Sequence, residues 1–204
     1  MHGIWYAAYG TNMERDRLGC YLAGGCPRGA SRTYVGARDR TLPTEMRPVE
    51  LAGSVYFAWE SPTWGGGIAF YDPVGEGRSV GRAYLLTPGQ LADLHAQEMH
   101  REPGTDLDLT DLLADGSTVL GPGRYESLHV VGEIEDAPVV TFTSSWQAHE
   151  IPYNAPVAAY LSTMARGLAE GWGWTTDQTV DYLLERPGIG PTWDRGTLRE
   201  ALAR

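Results

Sequence analysis

Apolar positions fall into short runs over most of the chain and into a helical stripe only near its end. Residues 4–9 form a short aromatic and apolar run that reads as a buried strand. Gly10-Thr11-Asn12 breaks it. Asn12 is placed to cap a helix from Met13 to about Ala23, with Glu14 in the first turn, and Gly24-Gly25 and Pro27 stop that helix. Residues 33–42, 49–59, 67–71 and 79–86 read as further strands. Thr87-Pro88-Gly89-Gln90 is a strong helix start, with a capping Thr, Pro at the first helical position and Gln three after the cap. That helix runs to about His100. Residues 101–123 are acidic and loop-like, with a short helix near 109–114 ended by Gly116. Residues 125–131 and 138–146 read as two more strands. Over 155–168, Val157, Tyr160, Leu161, Met164 and Leu168 share one helical stripe. Helices at 176–185 and 195–203 complete the chain. Strands early and helices late predict an α+β fold around one sheet or small barrel.

The chain has 204 residues, enough for one domain with a real core. Its net charge of −10, without a basic stripe, argues against nucleic acid and anionic membranes as partners. All 16 basic residues are Arg, which removes Schiff-base chemistry, pyridoxal phosphate attachment and the P-loop lysine. Cys20 and Cys26 have neither redox nor metal-site spacing and read as reduced thiols. Met1-His2-Gly3 leads directly into a strand with no signal-peptide pattern, and no apolar run reaches about 18 residues. A cytoplasmic protein, apart from membranes, is the expectation.

Two places offer chemistry. The strand–turn–helix at Tyr9-Gly10-Thr11-Asn12-Met13 would present free amides at the positive end of a helix, suited to a carboxylate or an oxyanion. An ordinary tight turn with a capped helix satisfies the same pattern. Glu98 lies seven residues beyond Leu91, on the face that also carries Leu94. A carboxylate on an apolar face has a raised pKa or a specific partner, and both suit a general acid or base; a Glu reaching solvent from the helix end is the alternative. His95 and His100 are five residues apart and cannot chelate zinc from one face. No G-x-S-x-G elbow occurs, and His149 and Glu150 stand isolated. Gly65-Gly66-Gly67 reads as a turn into a strand that would pass under a ligand, and the 106–115 acidic run as solvated surface.

Several of these segments together resemble the γ-glutamylcyclotransferase superfamily. Tyr6-Ala7-Ala8-Tyr9-Gly10-Thr11-Asn12-Met13 is similar to its N-terminal Y-G-S/T-N loop, and Trp64-Gly65-Gly66-Gly67-Ile68-Ala69 to its glycine-led strand. Ala83-Tyr84-Leu85-Leu86-Thr87, with Leu91 through Gln97-Glu98, resembles the strand and helix that end in its catalytic Glu. Pro156-Val157-Ala158-Ala159-Tyr160-Leu161 resembles the start of its C-terminal helix. The match runs in order over about residues 4–170. Met99 departs from the family's usual glycine, the 101–123 stretch is longer, and residues 171–204 have no counterpart.

The resemblance implies a mixed-strand, barrel-like α+β domain over residues 1–170, with 171–204 a helical extension packed on it. It implies a cofactor-free reaction: the α-amine of a γ-glutamyl group attacks its own γ-carbonyl, an amine leaves and 5-oxoproline forms. Glu98 would be the general base and acid. Tyr9, Gly10, Thr11, Asn12 and Tyr153 would bind the small-molecule γ-glutamyl substrate, in a monomer or weak homodimer without a metal. An amide hydrolase or acyltransferase on the same scaffold, and a non-catalytic small-ligand-binding domain, remain as alternatives.

Overall fold

The structure, a computed structural model, describes residues 3–203; Met1 and His2, which open the N-terminal pattern, and Arg204 lie outside the described residues. Among the described residues the chain forms eight strands and six α-helices. Strand β1 (Ile4–Ala8) is buried along its whole length, as its unbroken apolar run requires. It pairs antiparallel with β5 (Arg78–Leu86) and parallel with β8 (Ala137–Thr143). β2 (Met46–Ala52) flanks β5, and β7 (Ser127–Ile134) and β6 (Ser117–Val119) follow β8, giving a mixed sheet in the order β2-β5-β1-β8-β7-β6. Glu135 and Asp136, both at positive φ, close the two-residue β7–β8 hairpin.

β3 (Ser54–Ala58) and β4 (Ile68–Asp72) form a separate antiparallel ribbon. Two hydroxyls hold it to the sheet. Ser79 Oγ on β5 accepts the Val55 N–H at 2.8 Å and donates to the Gly53 carbonyl at 3.1 Å. Thr143 Oγ1 on β8 accepts the Tyr71 N–H at 3.0 Å and donates to the Tyr71 carbonyl at 2.7 Å. The single strand expected over 49–59 is therefore two. Gly53, at φ 112°, turns the chain, and a Cβ there would overlap the Asp72 carbonyl.

Helix α1 (Arg15–Leu22) starts later than expected. Thr11–Met13 form a 3-10 turn, Glu14 occupies the N-cap, and the Asn12 side chain caps nothing because it is used elsewhere. The strand expected over 33–42 is a docked loop. Only Tyr34 makes a bridge, its N–H donating to the Gly25 carbonyl at 2.8 Å; the next donors go to Leu22 and to helix α2 (Pro88–Glu98): Gly36 N–H to Gln97 Oε1 at 3.2 Å, Ala37 N–H to the Leu22 carbonyl at 2.8 Å, and Arg38 N–H to Asp93 Oδ2 at 2.8 Å. The Thr87–Gln90 capping box opens α2 as its sequence indicates. α3 (Thr110–Asp115) ends at a left-handed Gly116, and β6 follows where only loop was expected.

α4 (Ala158–Trp172) buries Tyr160, Leu161, Met164 and Leu168 from its apolar stripe. A Cβ at Gly167 would lie 2.6 Å from the Met13–Glu14 backbone, so glycine there lets α4 rest on the 3-10 turn. After α4, α5 (Thr176–Leu184) and α6 (Arg195–Leu202) complete the chain. The Phe57 N–H donates to the Pro187 carbonyl at 2.9 Å, and Trp193 Nε1 to the Pro156 carbonyl at 2.9 Å. No helix of the described residues is long and apolar enough to cross a membrane.

Candidate active site

The turn after β1 and the last residue of α2 meet at one cavity. Tyr9, Gly10, Thr11, Asn12 and Glu98 all line it. Glu98 is half-buried, while Leu91 and Leu94 beneath it are fully buried. The specific partner of its carboxylate is Asn12, whose Nδ2 donates to Glu98 Oε1 at 2.7 Å and to the Tyr6 hydroxyl at 3.1 Å. The 3-10 turn closes through Met13 N–H to Gly10 and Glu14 N–H to Thr11, each at 3.1 Å. The amides ahead of it are the ones a helical turn leaves without partners of its own.

Position is fixed along the second half of α2. Asp93 and Gln97 are buried and take up the 33–42 loop, and Gln97 Nε2 also donates to the Tyr21 carbonyl at 2.8 Å. Arg124 Nη2 donates to the Glu98 carbonyl at 2.7 Å, satisfying one of the helix's terminal acceptors. The same nitrogen lies 3.0 Å from His100 Nε2, which must accept because guanidinium only donates. Burial, and after it the Arg124 charge, lowers the His100 pKa and keeps the ring neutral.

Tyrosines form the walls. Tyr160 Oη accepts the Ala69 N–H at 2.9 Å, and Tyr125 donates to the Ala69 carbonyl at 2.9 Å, so phenols hold both backbone groups of this β4 residue. A Cβ on Gly10 would stand 3.0 Å from Tyr160 Oη, so glycine admits that hydroxyl. Tyr9 donates to the Phe142 carbonyl at 2.9 Å, a bracing role. Burial, then the Glu98 charge, pushes the Tyr6 pKa up, and burial does the same for Tyr160; both keep their protons at neutral pH.

Tyr153 is not brought to this cavity. It is 48% exposed, bridges Ala58 across the ribbon and sits 6.3 Å from the Tyr56 ring. Tyr160, one helix turn into the apolar stripe, supplies the hydroxyl there instead. The signal was legible: a phenol on a core stripe needs a buried partner. Arg17 was missed as well. It is only 3% exposed and lines the cavity, but Arg15-Asp16-Arg17 reads as a charged outer face. The glycines at 65–67 answer to the chain at 154–156. Gly67 N–H donates to the Ala155 carbonyl at 2.9 Å, and a Cβ at 67 would overlap the Asn154 carbonyl; Ile68 and Ala69 beyond them do line the cavity. His149 and Glu150 are exposed. No group of three or more His, Cys, Asp or Glu among the described residues is placed to hold a metal ion.

No family model matches the chain. It is 30% identical over 198 residues to a protein named histone deacetylase 5 from Arabidopsis thaliana. The match covers 88% of this chain, which spans 30% of that protein's length. A solved structure named gamma-glutamyl cyclotransferase superposes with a TM-score of 0.53 over 91% of this chain and 89% of that one, at 15% identity. The ensemble-refined crystal structure of an uncharacterized human protein superposes with a TM-score of 0.54 over the full length of both chains, at 14% identity. With its mixed six-stranded sheet and flanking helices, the chain has the γ-glutamylcyclotransferase-like fold.

Proposed function

We propose that the chain is a γ-glutamylcyclotransferase-type enzyme that cleaves a γ-glutamyl amide and releases 5-oxoproline and an amine. The observation that carries this reading is the Glu98 carboxylate, held by Asn12 at 2.7 Å in the cavity that the Gly10–Asn12 turn also lines. Ring closure needs a neutral α-amine, and Glu98 takes its proton. The amine nitrogen then attacks the γ-carbonyl carbon and forms the ring C–N bond. Negative charge moves to the carbonyl oxygen, where amides of the Gly10–Asn12 turn would receive it. Glu98 returns the proton to the leaving nitrogen, the old C–N bond breaks and the carbonyl re-forms; the second proton on the ring nitrogen then passes through Glu98 to the departing amine, which leaves as an ammonium. The steps consume no water, and Glu98 ends as it began. Because nucleophile and electrophile share one molecule, the protein contributes orientation and proton transfer, not a side-chain nucleophile. Gln97, Asp93 and Arg124 hold the helix end that such orientation demands.

The test is a panel of γ-glutamyl amides incubated with the protein and read by mass spectrometry. The panel includes dipeptides and lysine-type amines. 5-Oxoproline is the expected product. Free glutamate would instead show an amide hydrolase on the same scaffold. Binding without product from any member would favour a ligand-binding domain. Acetate released from an acetyl-lysine peptide would point to the activity in the name of the Arabidopsis relative.

A further inference from the structure

Among the described residues Arg17 is a buried cation without a carboxylate partner. Its Nη2 donates to the Tyr21 hydroxyl at 2.7 Å and the Tyr34 hydroxyl at 3.2 Å, and its guanidinium stands 4.2 and 4.8 Å from the centroids of those two rings. Nε and Nη1 are buried and have no acceptor among the described residues. One N–H on Nε and two on Nη1 therefore face no oxygen. Isolated buried charge is costly, and it persists where something compensates it. Glu98 lines the same cavity and its charge favours the Arg17 cation from a distance, but its carboxylate is bonded to Asn12 and fills none of the Arg17 N–H groups. Although the chain carries −10 overall, this cavity sets two guanidiniums, Arg17 and Arg124, against the single Glu98 carboxylate. Arg124 is engaged with the Glu98 backbone and His100, which leaves Arg17 as the unsatisfied one.

We propose that Arg17 anchors a carboxylate of the bound ligand, and, resting on the reading above, that this is the α-carboxylate of the γ-glutamyl group. A guanidinium is matched to that anion in charge and plane, and the Tyr21 and Tyr34 rings, set edge to face at 61°, both pack against it. Placing the carboxylate on Arg17 frees the amides of the Gly10–Asn12 turn for the oxyanion. It also makes Arg17 a specificity residue: γ-glutamyl amides with a free α-carboxylate are accepted and their α-carboxamides are not.

Calorimetric binding of 5-oxoproline and of its carboxamide tests this without turnover. The parent protein is expected to prefer the acid by about 10–100-fold, the range of a charged hydrogen bond. Arg17→Gln is expected to bind both within about threefold, and Arg17→Lys to retain part of the preference. An undiminished preference in Arg17→Gln overturns the assignment, since the carboxylate is then held elsewhere. So does a parent protein that shows no preference or binds neither compound. If Arg17→Gln does not fold, the comparison of the two ligands on the parent and on Arg17→Lys still decides. An Arg17-dependent preference without 5-oxoproline release from any amide would sink the proposed reaction and leave the carboxylate site standing. Release with a preference untouched by Arg17→Gln would do the reverse.

Discussion

Asn12 uses one amide nitrogen on two partners, the Glu98 carboxylate and the Tyr6 hydroxyl. It is a short side chain on a turn whose other face rests on α4, so it has little freedom to follow a moving carboxylate. Asn12→Ala should leave Glu98 in the cavity but no longer aimed. We expect kcat to fall about 10–100-fold with KM within a few-fold of the parent. A KM that rises while kcat holds would show that Asn12 touches substrate and does not position the acid–base group. Sequence alone marked Asn12 for a helix cap, since Asn before a helix has that use most often. The cap does not form because Glu98, 86 residues away, and Tyr6 hold Nδ2 and so fix the amide's orientation, leaving the capping oxygen Oδ1 without a partner among the described residues. Arg17 was illegible for a related reason. Only the Tyr21 spacing, one helical turn on, hinted that its charge turns inward.

Elements are legible in the sequence where local rules decide. The Thr87 capping box, the Gly116 stop and the α4 stripe all depend on residues within a few positions. Residues 33–42 depend on Asp93 and Gln97, polar residues buried on α2, and no local pattern shows that these will take the loop's donors. The glycine run separates the two cases further. Gly67 faces the Asn154 carbonyl, whereas a Cβ on Gly65 would meet nothing within 4 Å. Gly67→Ala should therefore cost about 1–3 kcal/mol of stability through overpacking. Gly65, at φ 73°, carries only backbone strain, and Gly65→Ala should cost about 1 kcal/mol. Chemical denaturation of both variants checks the order. A Gly65 variant less stable than the Gly67 variant would mean that the 154–156 segment is not packed against this turn.

At the scale of the whole molecule, burial sets the response to acid. His95, His100 and His129 all have pKa values lowered first by burial from an ordinary 6.5. Such groups bind protons more tightly unfolded than folded. Above pH 6.5 both states are neutral and the stability is complete. As pH falls below 6.5 the unfolded chain gains protons first and stability declines. Asp39, Asp108 and Asp194, each lowered by a backbone or side-chain bond from a threonine, extend the same decline to lower pH. The melting temperature should be flat from pH 8 to about 7 and fall between about 6.5 and 5. A melting temperature that rises on acidification to pH 5 would contradict the burial of these rings.

The rate of 5-oxoproline release by Glu98→Gln, set against the parent protein on the same γ-glutamyl amide, tests the central claim most directly. Gln keeps the shape at the end of α2 and can still meet Asn12, but it cannot cycle a proton. The account predicts a loss of about 100-fold or more, with an unchanged melting temperature. Release within a few-fold of the parent rate would contradict it.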